Sequence, residues 1–441
     1  MDKTMLLEFG VTNYKSFSEE TILTMAASRE QRHKQRIPRV KSKYNIRVLP
    51  VAGLYGANAS GKSNLVSALA TLRRILSNPI TDDSGLPYEP YKLDEQYSTW
   101  PTIFRILFIQ DEQIYEYTIS YNRDMIVDES LVKIRSRDEV LVFERQGENL
   151  RLGEVFGSRE IRDFLSSVDH KIPAATALAQ FKKVNTQGIR DVLALRKWIN
   201  RLVTIYAGFL TENRYVPLPK TGIDFMKNIG AGIEDIKRVP VELDDISLPD
   251  EKRRVIVNDL DSSGKIITFE QDGVRYEAVN LDGEIKIQKV LLLHSGQGAS
   301  MPFNWSEESD GTKAVGAIYP LIWALAQREN PPIVVIDEID RSFHTLLTLN
   351  ILESFLSRCN EETRAQLLFT THDLLLMDLD VFRKDEIWIM EKSRLGSSRL
   401  VSLVDFKGIR KDRDLRKSYL EGRFGGIPNI RNLRVSDEGR A

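Results

Sequence analysis

At 441 residues, 42% of them apolar, the chain is long enough for two to three domains and too rich in core-forming side chains to be mostly disordered. Lys and Arg total 62 against 63 Asp and Glu, a net charge of -1, which excludes a surface that is a nucleic-acid clamp throughout but leaves room for a local basic patch. The single Cys359 excludes an intramolecular disulfide, and the absence of a Cys/His cluster with zinc spacing fits a reducing compartment. Met1 to Gly10 holds acids and no apolar run of signal-peptide length, and no apolar stretch approaches the ~20 residues that span a bilayer, so a soluble cytoplasmic protein with no membrane partner is expected.

In chain order, Met5 to Val11 predicts a strand, and after a polar stretch Arg47 to Tyr55 predicts another that ends at a glycine-rich turn. Asn64 to Ser77 then carries Leu65, Ala68, Leu69, Leu72 and Ile75 at helical spacing. Phe104 to Ile109 and Ile114 to Tyr121 predict a hairpin across the polar Gln110 to Gln113, and Val140 to Arg145 a further strand. The pattern is helical from Glu160 to Phe209. It returns to short strands from Arg238 to Leu293, with turn signals at Ser262-Ser263-Gly264, Asp272-Gly273 and Asp282-Gly283. No heptad pattern is sustained, which excludes a long coiled-coil arm, and there is no internal repeat.

From Asn304 the order is turn, helix (Lys313 to Gln327), buried strand (Ile333 to Ile336), helix (Thr345 to Arg358), buried strand (Gln366 to Phe369), helix and strand (Glu386 to Met390). Such alternation implies a parallel sheet covered on both faces. Beyond Glu391 the chain is basic, with Arg410, Lys411, Arg413, Arg416, Lys417, Arg423, Arg431 and Arg434. A solvated helical face is the plain reading of that run, and a nucleic-acid or partner surface is the alternative.

Gly56-Ala57-Asn58-Ala59-Ser60-Gly61-Lys62-Ser63 fits the G-x-x-x-x-G-K-[ST] loop between a strand and a helix. Backbone N-H groups of such a loop curl around phosphates at a helix N-terminus, so these residues, with Asn64 after them, are the expected ATP contacts. Lys62 is expected to reach the β and γ phosphates, and Ser63 to bind Mg²⁺. Ile333-Val334-Val335-Ile336-Asp337-Glu338 is an apolar run that ends in two acids, as a buried parallel strand does when it delivers carboxylates at its C-terminal edge. Asp337 is expected on Mg²⁺ and Glu338 as the base that polarises the attacking water. His372 lies at the end of the next strand, 34 residues beyond Glu338. Ser309-Asp310-Gly311-Thr312 opens the helix before the acidic strand, and an N-cap turn is its plain reading.

With these elements in this order, the chain resembles the ATPases of the ATP-binding-cassette superfamily, the head-domain class of SMC, RecF and OLD proteins, and within it the RloA-like AAA-type ATPases of bacterial anti-phage and abortive-infection systems. The resemblance also rests on Phe9-Gly10-Val11-Thr12-Asn13-Tyr14-Lys15-Ser16-Phe17, on Tyr55 to Asn64, and on Tyr419-Leu420-Glu421-Gly422-Arg423-Phe424-Gly425-Gly426-Ile427-Pro428. It implies an α/β P-loop NTPase of the cassette type with a mixed or parallel central sheet flanked by helices. The two halves of the head would be 1–150 and 296–392, separated by an α+β insertion at 151–295 that serves interaction or as a lid, with a basic tail at 393–441. It implies that His372 contacts the γ-phosphate. Ser309 and Gly311 would then contact ATP held by a second copy, although Asp310 replaces the middle glycine of that superfamily's signature. A glutamine sensing Mg²⁺ and water has three candidates, Gln180, Gln110 and Gln187. Asp340-Arg341-Ser342 occupies the place of the loop that crosses the dimer interface.

The resemblance implies an ATP-sandwiched head-to-tail dimer or a larger homo-oligomer. The switch would control a separately encoded toxic effector such as a nuclease, under a phage trigger. A RecF-like repair ATPase binding duplex DNA through the basic tail is the alternative. A nuclease domain of its own is not expected, because about 70 residues follow His372 and such a domain needs about 100. GTP is not expected either, since no Asn-Lys-x-Asp sequence follows the P-loop.

Overall fold

Val51–Tyr55, Ile333–Ile336 and Gln366–Thr370 are buried at every position, as strands covered on both faces must be. Their side chains alternate between two cores: Ala52, Leu54, Ile333, Val335 and Leu368 enter one, and Val51, Tyr55, Val334, Ile336, Leu367 and Phe369 enter the other. The structure, a computed structural model, describes residues 4–40, 45–77, 85–156, 161, 168–206, 220–228, 232–260, 266–281, 283–296, 299–327, 331–341, 343–406, 415–421 and 423–425. Ser262 to Gly264, Asp282, Ser342, Arg410, Lys411, Arg413, Gly422, Gly426 to Pro428, Arg431 and Arg434, all singled out in the sequence, lie outside the described residues.

These strands are the centre of a six-stranded sheet in the order Leu202–Ile205, Ile333–Ile336, Gln366–Thr370, Val51–Tyr55, Ile387–Lys392, Ser398–Ser402. The first five run parallel and the last is antiparallel. Leu202–Ile205 falls within the stretch read from sequence as an insertion and inside its helical pattern, yet it pairs with Ile333–Ile336, so this six-stranded sheet draws an edge strand from that stretch. It follows directly on helix Gln187–Arg201, whose Thr186 cap accepts from Ile189 N; no glycine or proline marks the change. Ser398–Ser402 likewise brings part of the basic tail into the sheet.

The first core lies between that sheet and a seven-stranded antiparallel sheet, ordered Asn149–Leu152, Glu139–Gln146, Ile126–Ile134, Gln113–Tyr121, Thr102–Gln110, Thr4–Thr12, Thr21–Thr24. Helix Lys62–Ser77 fills it with Leu65, Leu69, Leu72 and Ile75, and helix Gln187–Arg201 with Trp198. Each such side chain stabilises by roughly 1.5–3 kcal/mol through burial. Asp111 and Glu112 both take left-handed φ, 50° and 67°, the two-residue turn that matches strand twist in the expected hairpin. Gln366 joins the two sheets. Its Oε1 accepts from Leu6 N at 2.6 Å and its Nε2 donates to Leu6 O at 3.0 Å, beside a register shift between Leu6 and Glu8.

Helices Asp310–Gln327 and Thr345–Leu356 supply the second core on the opposite face. A separate antiparallel sheet holds Ile233–Val241, Glu284–Ser295, Val274–Leu281 and Ile266–Gln271 in that order, with Ser300–Phe303 added beside Glu284–Ser295. Helix Asp250–Leu260 packs on it over a small core that includes Ile256, Leu260 and Phe269. The sequence pattern predicts strands alone in this stretch. The helix is marked by Pro249 directly before it and by Asp250 and Glu251 in its first turn.

Candidate nucleotide-binding site

The loop after Val51–Tyr55 is shaped by what lies against it. Gly56 has φ 153°, and a Cβ there would stand 2.3 Å from Met390 O; Gly61 has φ 115°, and a Cβ there would stand 2.2 Å from Ser398 Oγ. Both obstacles sit on the neighbouring strands of the sheet, so only glycine lets the loop pass. The Ser398 hydroxyl is 2.6 Å from Ser60 O and 2.7 Å from Ser16 Oγ, and Asn64 Nδ2 donates to Ser16 Oγ at 2.7 Å. Tyr14 OH stands 2.9 Å from Ser67 Oγ and from Thr71 Oγ1, and Lys15 Nζ donates to Ser67 Oγ at 2.8 Å. The segment Phe9 to Phe17 thus braces both the loop and the first turns of its helix.

The loop from Asn58 to Asn64 and the side chains of Glu338, Asp340, Arg341 and His372 line a cleft of about 420 Å³. Lys62 Nζ donates to Gly56 O at 2.7 Å and to Ala57 O at 3.0 Å, and stands 3.2 Å from His372 Nδ1. Burial pushes its ammonium down to about 8, against the pull of Asp337, Glu338 and Asp340. A cation partly stripped of water, held by two carbonyls and beside the His372 ring, can take phosphate oxygens in place of the carbonyls.

Ser63 Oγ donates to Asp337 Oδ1 at 3.1 Å. A hydroxyl and a carboxylate are the hard oxygen donors that Mg²⁺ prefers, so the pair fits that ion. Among the described residues no group of three His, Cys, Asp or Glu side chains could hold a metal, so phosphate and water oxygens would complete such a site. Glu338 has φ 52°, a left-handed backbone unusual for a residue with a side chain. Its carboxylate faces His372 Nε2 at 3.4 Å and Arg341 Nη1 at 3.4 Å. His372 N donates to Asp340 Oδ2 at 3.3 Å, and Asp340 Oδ1 is buried with no hydrogen-bond partner among the described residues.

The structure therefore gathers Lys62, Ser63, Asp337, Glu338 and His372 at one place, and it does not bring Ser309 and Gly311 there. Neither lines the cleft. Ser309 Oγ accepts from Thr312 N at 3.1 Å, the N-cap contact of the helix that follows. None of the three glutamines lines it either. Gln110 accepts from Thr4 Oγ1 at 2.6 Å, Gln187 donates to Asp191 at 2.8 Å, and Gln180 is exposed. Sequence reasoning assigned no role to Ser398 or Thr370, although both touch the loop or its carboxylates. Ser398 carries no motif. Thr370 sits directly before the Thr371-His372 pair and could have been found by asking which side chain ends the strand beside Asp337.

The sequence matches, over residues 51–378, the family described as "AAA domain, putative AbiEii toxin, Type IV TA system". No curated protein matches it. Among the described residues no helix is long and apolar enough to cross a membrane.

Proposed function

We propose, from the premise that this chain belongs to that family and is an AAA-type P-loop ATPase related to abortive-infection systems, that it is an ATP-driven switch subunit of a bacterial anti-phage system. The observation that carries the reading is the convergence of Lys62, the Ser63 and Asp337 pair, Glu338 and His372 on one cleft. On ATP binding, Lys62 exchanges the Gly56 and Ala57 carbonyls for the β and γ phosphates. Loop N-H groups from Asn58 to Asn64 surround the phosphate chain. Mg²⁺, when bound, neutralises phosphate charge. Glu338 leaves Arg341 to orient the attacking water, and His372, already between Lys62 and Glu338, closes over the γ-phosphate.

The cassette-type arrangement belongs to the same reading. Ser309 and Gly311 lie outside the cleft of their own chain, as residues serving a second copy's ATP would. ATP then holds two heads together, hydrolysis releases them, and the cycle governs a separately encoded effector in the cytoplasm. The duplex-DNA alternative rests on Arg410, Lys411 and Arg413, and no observation here favours it.

The test is the mass in solution of Glu338→Gln with and without ATP and Mg²⁺, alongside wild-type ATPase rates. The expected result is an ATP-dependent gain in subunits with hydrolysis lost in the variant. A monomer with ATP bound would overturn the role of Ser309. Loss of phage protection in Lys62→Ala is expected, and unchanged protection would remove ATP binding from the proposal.

A further inference from the structure

Thr370 ends its strand fully buried, one strand over from the acidic pair, and does not line the cleft. Its hydroxyl donates to Asp337 Oδ1 at 2.7 Å and accepts from Glu338 N at 2.7 Å. Its carbonyl accepts from Ile339 N at 3.0 Å. One residue therefore touches all three positions of the turn that delivers the carboxylates. A hydroxyl has one proton to give and lone pairs to accept with, and here both capacities are used. Asp337 is fixed in rotation by the proton it receives. Glu338 is fixed by the N-H it gives, at a residue whose φ of 52° is otherwise unfavourable.

We infer that Thr370 is the positioning residue of this site, orienting the Asp337 carboxylate toward the metal and holding Glu338 in its left-handed backbone where its carboxylate faces the cleft. The inference rests on the nucleotide-site reading above. It differs from the packing role expected of a buried strand Thr, because the γ-methyl and the hydroxyl make separable contributions. Thr370→Val keeps the branched shape and deletes the hydroxyl. Thr370→Ser keeps the hydroxyl and deletes the methyl. Thr370→Ala deletes both and introduces nothing that could clash.

The experiment measures ATPγS affinity by calorimetry in Mg²⁺ and in EDTA, together with kcat and KM for ATP, on protein shown to be folded by its thermal melt. In Thr370→Val, or in Thr370→Ala should the valine variant fail to fold, the gain in affinity conferred by Mg²⁺ falls about 10- to 100-fold, with affinity in EDTA unchanged; kcat falls over a similar range. Thr370→Ser retains the Mg²⁺ gain and stays within about threefold of wild-type kcat. Equal losses in Thr370→Ser and Thr370→Val would show that packing is at work and overturn the inference, as would a hydroxyl-free variant with its Mg²⁺ gain intact. A wild-type protein that binds no ATPγS would instead overturn the nucleotide-site reading itself.

Discussion

Ser63 and Asp337, 274 residues apart in sequence, meet through a hydroxyl that donates to Oδ1 at 3.1 Å, and Thr370 donates to the same oxygen at 2.7 Å. Two hydroxyls aimed at one carboxylate oxygen require it to be an acceptor, which an amide oxygen can also be, so these contacts fix the rotation of Asp337 and its negative charge is left to serve the metal site. Asp337→Asn keeps the size and shape of the side chain and removes that charge. ATP affinity in Mg²⁺ should fall by about 10- to 100-fold, with affinity in EDTA nearly unchanged. Calorimetric titrations in the two media check this, and equal losses in both would contradict a metal role for Asp337.

Much of this site was readable in the sequence because each of its parts ends a strongly patterned element. The P-loop follows an apolar strand, Asp337 and Glu338 follow four apolar residues, and His372 follows another such run. Parallel strands buried on both faces announce themselves in this way, and they place their C-terminal ends side by side. Leu202–Ile205 gave no such signal, since it follows the helix Gln187–Arg201 directly, with no glycine or proline to mark the change. The supports of the loop were less visible still. Ser16 and Ser398 are 382 residues apart and bond one another, and a serine in a turn or an edge strand has no periodicity to betray it. Register between distant segments, which local pattern does not encode, decides such contacts.

The charge of Lys62 makes ATP binding depend on pH. Burial holds its ammonium at about 8, below the ordinary 10.5, and the phosphates of ATP raise it again by adding negative charge beside it. Binding therefore takes up protons. The uptake is about half a proton at pH 8 and about a tenth at pH 7, and affinity weakens as pH rises through 8, by at most about tenfold per unit. Calorimetry at pH 8 in buffers of different ionisation heat reads the uptake directly, and an enthalpy independent of buffer would contradict a depressed Lys62.

Gly61→Ala tests the contact between the loop and the strand beside it. The new Cβ would lie 2.2 Å from Ser398 Oγ and 2.9 Å from Ser16 Oγ, at a φ of 115°. Backbone strain alone costs about 1–3 kcal/mol, and displacement of the two serines adds to it. A lower melting temperature and loss of ATP binding are expected. Adding Ser398→Gly should restore part of the melting temperature but not all of it, because the strained φ remains. Complete restoration would show that the clash, not the backbone, sets the cost.

A clear dependence of stability on pH is expected outside the lining of the cleft, at Arg36 and Glu386. The Glu386 carboxylate is fully buried and bonds Arg36 Nη2, and it also accepts from Arg383 N at 2.8 Å. Burial pushes its carboxyl up to about 7 from the ordinary 4.5, with Arg36 pulling the other way. Between those values the folded chain keeps a proton that the unfolded chain has released. The stability contributed by this group is thus full below 4.5 and falls as pH rises towards 7. Arg36→Met removes the opposing charge, so the carboxylate that forms at higher pH is left buried with the Arg383 N-H as its one hydrogen-bond partner among the described residues. The substitution should cost about 3 kcal/mol at pH 8 and clearly less at pH 5, where Glu386 is protonated. Urea midpoints of the wild type and the variant at the two pH values check this. A gap that is wider at pH 8 is the expected result, and an equal gap would mean that Arg36 contributes by packing rather than by its charge.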